Sequence, residues 1–116
     1  MKIFSPIKFK NLELKNRVVM APMCMYSAEN GLVNDFHLVH YATRAIGGVG
    51  LIIAEATGVV PEGRITNKCA GIWNDEQASA WQKIVEFIHH NTETKIGIQL
   101  GHAGRKASTW NGKQTS

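Results

Sequence analysis

Three clusters in this 116-residue chain hold side chains suited to chemistry, and each stands at the end of an apolar run. The first is Pro22-Met23-Cys24-Met25-Tyr26, the second Glu55-Ala56-Thr57-Gly58, and the third Gln99 with His102 and Arg105. Together they offer sulfur, a phenol, a carboxamide and small residues. They contain no pair of carboxylates for splitting glycosidic bonds or holding hard cations. A flat heteroaromatic ligand suits them better. The apolar backbone of Ala21-Pro22-Met23 can lie against a ring face, Ala56 leaves room, and Gln99 offers both donors and acceptors.

Each candidate also has a plainer reading. Met23 and Met25 serve equally as core filler. Cys24 is an inert buried thiol, a nucleophile with His102 as its base, or a thiol that modulates a redox ring, and the last demands only contact. His37 and His40 have the spacing of two metal ligands on a helix, but no third ligand is evident, so they read as solvated helical surface. His89-His90 meets a helix C-terminal dipole and carries no chemistry. Gly47-Gly48-Val49-Gly50 precedes a strand, whereas a dinucleotide fingerprint follows one, so it reads as a helix stop and tight turn. Arg64 reads as a loop brace. Cys24 and Cys69 follow no metal spacing, and with no secretion signal the expectation is reduced thiols in the cytoplasm.

The elements that must position these clusters follow from patterning. A hydrophobic fraction of 44% against 19% charged residues supports a buried core. No apolar run reaches the roughly 18 residues of a membrane-spanning helix. Thirteen basic against nine acidic residues leave a diffuse +4 with no basic block, so nucleic acid is not an expected partner. Ile7, Phe9, Leu12 and Leu14 alternate with charges around Lys10-Asn11, which predicts a small hairpin. Apolar runs at 17–21, 50–56 and 95–100 predict three strands covered on both faces.

Between them, helical periodicity runs from Asp35 to Ile46, with Leu38, Ala42 and Ala45 on one face and Asn34 as cap. A second helix opens at Asn74, with Gln77 reaching back and a stripe of Ala78, Trp81, Ile84, Val85 and Ile88. Strand and helix in alternation build parallel βαβ units with right-handed crossovers. A doubly wound sheet and a (β/α)8 barrel both accept this order. A complete barrel needs roughly 250 residues, so the chain is either a minimal open sheet or the beginning of something longer. The tail from His102 to Ser116, with Trp110, shows no third helical stripe, and the expectation is an amino-terminal fragment.

At these strand ends the sequence resembles the old yellow enzyme family of flavin-dependent ene-reductases. It is most similar to the thermophilic-like branch of NADPH dehydrogenases and xenobiotic reductases. The resemblance lies in Phe4-Ser5-Pro6-Ile7, in Leu14 through Tyr26, in Phe36-His37-Leu38-Val39-His40-Tyr41 and in Arg44 through Ile53 with Glu55-Ala56. It continues through Gly63-Arg64-Ile65, Gly71-Ile72-Trp73-Asn74-Asp75 and Ile98 through Arg105, in order over nearly the whole chain.

The resemblance implies that residues 1–116 form the amino-terminal part of one FMN-binding TIM-barrel domain, with about three strands, two helices and a bottom-capping hairpin. By motif match, Ala21, Pro22, Met23 and Cys24 line the isoalloxazine, with Cys24 tuning its redox behaviour. Ala56 and Gln99 are further FMN contacts, Gln99 at the polar pyrimidine edge. Tyr26 reaches toward the substrate carbonyl. Cysteine in place of the threonine of classical members indicates the thermophilic-like branch. NADPH is the implied hydride donor and an α,β-unsaturated carbonyl compound the acceptor at its β-carbon. The full-length protein is implied to be a homo-oligomer.

The family's carbonyl-binding histidine or histidine–asparagine pair, its proton-donor tyrosine and its phosphate-binding loops come from later strands and are not found before Ser116, so the chain alone is expected to be inactive. Two alternatives remain at this level: a small non-enzymatic α/β module, and a related flavin barrel of the dienoyl reductase type.

Overall fold

The structure is a computed structural model that describes residues 2–106; Trp110 lies outside the described residues. An antiparallel hairpin comes first, β1 (Ile7–Phe9) against β2 (Leu12–Leu14), with Ile7 opposite Leu14 and Phe9 opposite Leu12. Its turn is made by Lys10 in the left-handed region, φ +54°. Leu14 is buried, while Phe9 and Leu12 stay exposed.

A parallel sheet of three strands follows, in the order β3 (Val19–Met20), β4 (Leu51–Gly58), β5 (Lys95–Gly101). The crossovers carry α1 (Asp35–Ile46) and α2 (Asp75–Asn91). β3 is shorter than its apolar run, because only Val19 and Met20 pair with β4, opposite Leu51 and Ile52. The long polar connection after β4 turns back beside it: Gly58 donates to Ala70 at 3.0 Å and Ile72 donates to Gly58 at 2.9 Å.

Both helices start where the sequence places caps. Asn34 accepts the Phe36 amide at 2.9 Å, and His37 Nδ1 accepts the Asn34 amide at 3.1 Å, so a histidine fills the role usually taken by glutamate in a capping box. Asn74 accepts the Gln77 amide at 2.9 Å, while Gln77 accepts from Trp73 and donates to the Asn30 carbonyl. These bonds draw Gln77 into the interior. The buried stripe of α2 is therefore Gln77, Trp81, Ile84 and Ile88, and Ala78 is exposed.

The core lies between the helices and one face of the sheet. Met20, Ile52 and Ala54 meet Tyr41, Ala45, Trp81, Ile84 and Ile88, with Ile96 and Ile98 packed alongside. Here α1 departs from the sequence reading. Its inward face carries His37, His40, Tyr41, Ala42 and Ala45, while Val39 and Ile46 are 63% and 66% exposed. A polar partner inside the core causes this, and it is supplied by β4.

The other face of the sheet is open among the described residues, so the strands are covered on one side only. Val19 and Met23 remain about half exposed, and nothing lies within 4 Å of where a Cβ on Gly97 or Gly101 would stand. In a closed (β/α)8 barrel this face looks into the interior.

Between Ala54 and Ala56 the ladder shifts. Ala54 pairs with Ile98 and Ala56 with Gln99, leaving Glu55 as an extra residue. Such a bulge lets two successive side chains leave on the same side. Glu55 accordingly follows Ala54 into the interior, and Ala56 returns to the open face.

Candidate functional site

The carboxyl ends of β3, β4 and β5 lie side by side, and three of the sequence-derived site residues meet there. Ala56 and Gln99 are direct partners across β4 and β5. They share a cleft of about 180 Å³ whose walls include Arg64, Leu100 and His102. Cys24, half-buried on the loop after β3, accepts a hydrogen bond from the Ala56 amide and so stands next to that pair. Ala21, Pro22 and Met23 run from β3 to Cys24 without lining the cleft, and Met23 is 49% exposed. Tyr26 lies just past the thiol, half exposed, with its backbone in the left-handed region at φ +51°. That conformation is uncommon for a bulky residue, and it marks a turn held by its surroundings.

The Cys24 thiol is pushed above its ordinary value. Burial is the main cause, followed by Cys69 and Glu55, while the Ala56 amide pulls the other way. An activated nucleophile needs the opposite environment. His102, the base the sequence offered for it, lines the Gln99 cleft, and its Nδ1 accepts the Gly104 amide at 3.1 Å. The Tyr26 phenol is also pushed up, first by Cys24. Arg64 braces its own loop, donating to the carbonyls of Pro61 at 2.9 Å and Asn67 at 3.2 Å with its guanidinium over Trp73.

His37 and His40 are not solvated surface. His37 is fully buried and His40 nearly so, and burial pushes both below their ordinary value, His37 to about 4. No cluster of three metal-ligating groups exists among the described residues. The buried partner is Glu55, whose carboxyl accepts from Tyr41 Oη at 2.7 Å and from the Met25 amide, with His37 Nε2 at 3.8 Å. The sequence carries the signal of this group: one acid inside an apolar strand, and two ring residues four apart on a helix.

The whole length of the chain carries a family signature. Residues 2–116 match the sequence profile of the NADH:flavin oxidoreductase / NADH oxidase family. The chain belongs to this family. Among curated relatives of the old yellow enzyme family, an NADPH dehydrogenase from Bacillus cytotoxicus is 58% identical over 108 residues, covering 91% of this chain and 31% of that protein.

Solved structures agree. Morphinone reductase in complex with tetrahydroNAD superposes with a TM-score of 0.84 at 34% identity, covering 92% of this chain and 29% of the other. The old yellow enzyme from Pichia sp. gives a TM-score of 0.84 at 37% identity, covering 91% and 28%. The chain thus spans about a third of the length of these old yellow enzyme relatives. The fold is α/β, with the hairpin, three strands and two helices of the amino-terminal portion of a (β/α)8 TIM barrel. The cofactors of the family are FMN and a nicotinamide nucleotide.

The residues at the strand ends fit a flavin. Gln99 makes no hydrogen bond to another described residue through its carboxamide, and it stands beside small Ala56 on a face left open at Gly97 and Gly101. A flat ring with one polar edge matches that combination of open platform and unengaged donor and acceptors.

Proposed function

We propose that residues 1–116 are the amino-terminal part of a single FMN-binding barrel domain in an NADPH dehydrogenase that reduces the C=C bond of α,β-unsaturated carbonyl compounds. The observation that carries this reading is the adjacency of Cys24, Ala56 and Gln99 at neighbouring strand ends, in a chain of this family.

FMN held against Cys24, Ala56 and Gln99 would supply the hydride chemistry between NADPH and the substrate β-carbon. The chain's own residues do the rest. Gln99 gives hydrogen bonds to the polar ring edge, and Ala56 permits close approach. Ala21, Pro22 and Met23 form an apolar wall, and Cys24 presents a protonated thiol that tunes the ring without attacking it. Tyr26, kept protonated, donates to the substrate carbonyl oxygen, and polarising that oxygen is the electrostatic part of catalysis. The full-length protein is cytoplasmic and homo-oligomeric in this reading. No helix among the described residues is long and apolar enough to cross a membrane.

The test is direct. Full-length protein is expressed, scanned for the visible bands of flavin, and given NADPH with a cyclic enone. A yellow protein that consumes both supports the assignment, whereas a colourless protein that takes up no added FMN refutes it.

A further inference from the structure

A buried acid lies directly behind the proposed flavin-facing edge. Glu55 is 1% exposed, and the groups that meet its carboxyl are all donors. Tyr41 Oη donates to Oε2 at 2.7 Å, and the Met25 amide donates from the loop after β3. His37 Nδ1 accepts the Asn34 amide, so the neutral ring carries its proton on Nε2, which faces Glu55 Oε1 at 3.8 Å with no hydrogen-bond partner of its own. Tyr41 Oη in turn accepts the Glu55 amide at 3.0 Å, so the phenol is held from two directions. One carboxyl thereby ties α1 to the turn that carries Cys24 and Tyr26.

We propose that Glu55 is the positioning residue of the flavin-facing thiol, clamping the Met25 amide and so setting where the Cys24 sulfur stands against the ring. This rests on the FMN reading above. Burying a carboxyl without a cation is costly, and an apolar side chain of similar size would serve packing better. Burial pushes the Glu55 carboxyl above its ordinary value, and His37, neutral near pH 7, gives it no compensating charge. An acid in this place breaks a local rule of the core, as residues do where a site requires it. Among the described residues, the titratable groups coupled to the Cys24 thiol are Cys69 from the returning loop, which also hydrogen-bonds it, Glu55 from β4, Tyr26 from its own turn and Tyr41 from α1. None of these is a cation, and burial keeps the sulfur a thiol.

The experiment uses the full-length protein loaded with FMN and the variants Glu55→Gln and Glu55→Leu. Three quantities are read: the flavin midpoint potential, the pH profile of Cys24 alkylation by iodoacetamide (followed on the Cys24 peptide by mass spectrometry), and the melting temperature. Gln keeps one acceptor oxygen for the Met25 amide, and its Nε2 can donate to Tyr41 Oη, so the turn stays held and the potential is expected to hold. Cys24 alkylation at neutral pH is expected to rise at least about threefold as the acid's charge is lost, since thiolate is the reacting species. Leu is expected to move both quantities. A folded Glu55→Leu protein with wild-type potential and alkylation profile overturns the proposal.

If that variant does not fold, Tyr41→Phe decides. A potential moved from wild type supports the clamp, and an unchanged potential and profile overturn it. Should the full-length protein take up no FMN, the functional reading falls separately. The alkylation profile of the colourless protein then judges Glu55 alone, with no change between wild type and Glu55→Leu counting against it.

Discussion

At the scale of single residues, the groups proposed for the site, and the histidine behind it, stay uncharged near neutral pH. Cys24 and Tyr26 are both pushed up, and His37 is pushed down. Cys24→Ala should therefore leave FMN in place while shifting its potential and altering both half-reactions; loss of the flavin on gel filtration would make the thiol's role structural instead. Gln99→Leu should weaken FMN retention about tenfold, as a polar ring edge loses its partner, and an unchanged affinity in a flavin titration removes Gln99 from the site.

His37 also predicts a pH dependence. Its value in the fold, about 4, lies below the ordinary 6.5, so between those limits the unfolded chain binds more protons. Stability contributed by the neutral ring is present above 6.5 and lost as pH falls through that window, by about 3 kcal/mol at most. Glu55 works in the opposite sense, because a raised acid gains stability as pH falls toward its unfolded value. His37→Asn should flatten the acid-side loss. Melting curves at pH 7 and pH 5 that drop equally in both proteins would contradict this.

Among the elements, the start of α2 is where sequence and structure agree most closely and then part. Asn74→Ala should cost about 1 kcal/mol, because the Gln77 amide loses its acceptor at 2.9 Å. Ile88→Ala, in a position with no exposure, should cost about 3 kcal/mol. Denaturant melts of the full-length variants measure both. Caps, the succession of strands and helices and the hairpin were legible because each depends on local chemistry: Asn before a helix, period-two alternation, apolar runs.

The inward face of α1 was legible only in part. Periodicity ranks side chains by apolarity, and it set Leu38, Ala42 and Ala45 inward, where the fold keeps them, but left His37 and His40 as solvated surface. The fold instead buries His37 and Tyr41, because Glu55 awaits them on the neighbouring strand. Two polar groups that satisfy each other look like surface when each is read alone. Of the candidate site, Cys24, Ala56 and Gln99 come together from the strand ends as expected, whereas Met23, also expected against the ring, stands half exposed outside the cleft.

At the scale of the molecule, the sheet is clothed on one side only among the described residues. Val19, Met23 and Leu100 are 48%, 49% and 60% exposed on or beside the strands, and Phe36, Val39 and Ile46 are exposed along α1. Apolar surface of this extent invites association. Residues 1–116 expressed alone should therefore self-associate and reduce no enone, while the full-length protein does. A monodisperse, active 116-residue protein in light scattering and turnover assays would contradict the view that the site needs further chain.

The bulge in β4 has a last consequence. Ile53, Ala54, Ala56 and Thr57 pair with four successive residues of β5, so the strand keeps step as though Glu55 had been spliced in. Excising that residue would close the seam and leave every remaining side chain on its present side. Exchanging it for a bulky apolar residue would leave the seam open around a group with nothing to hold. The acid is thus an insert in the ladder, and a version of this protein without it would keep the platform, lose its grip on the turn that bears the thiol, and leave the Tyr41 hydroxyl and His37 buried without their partner.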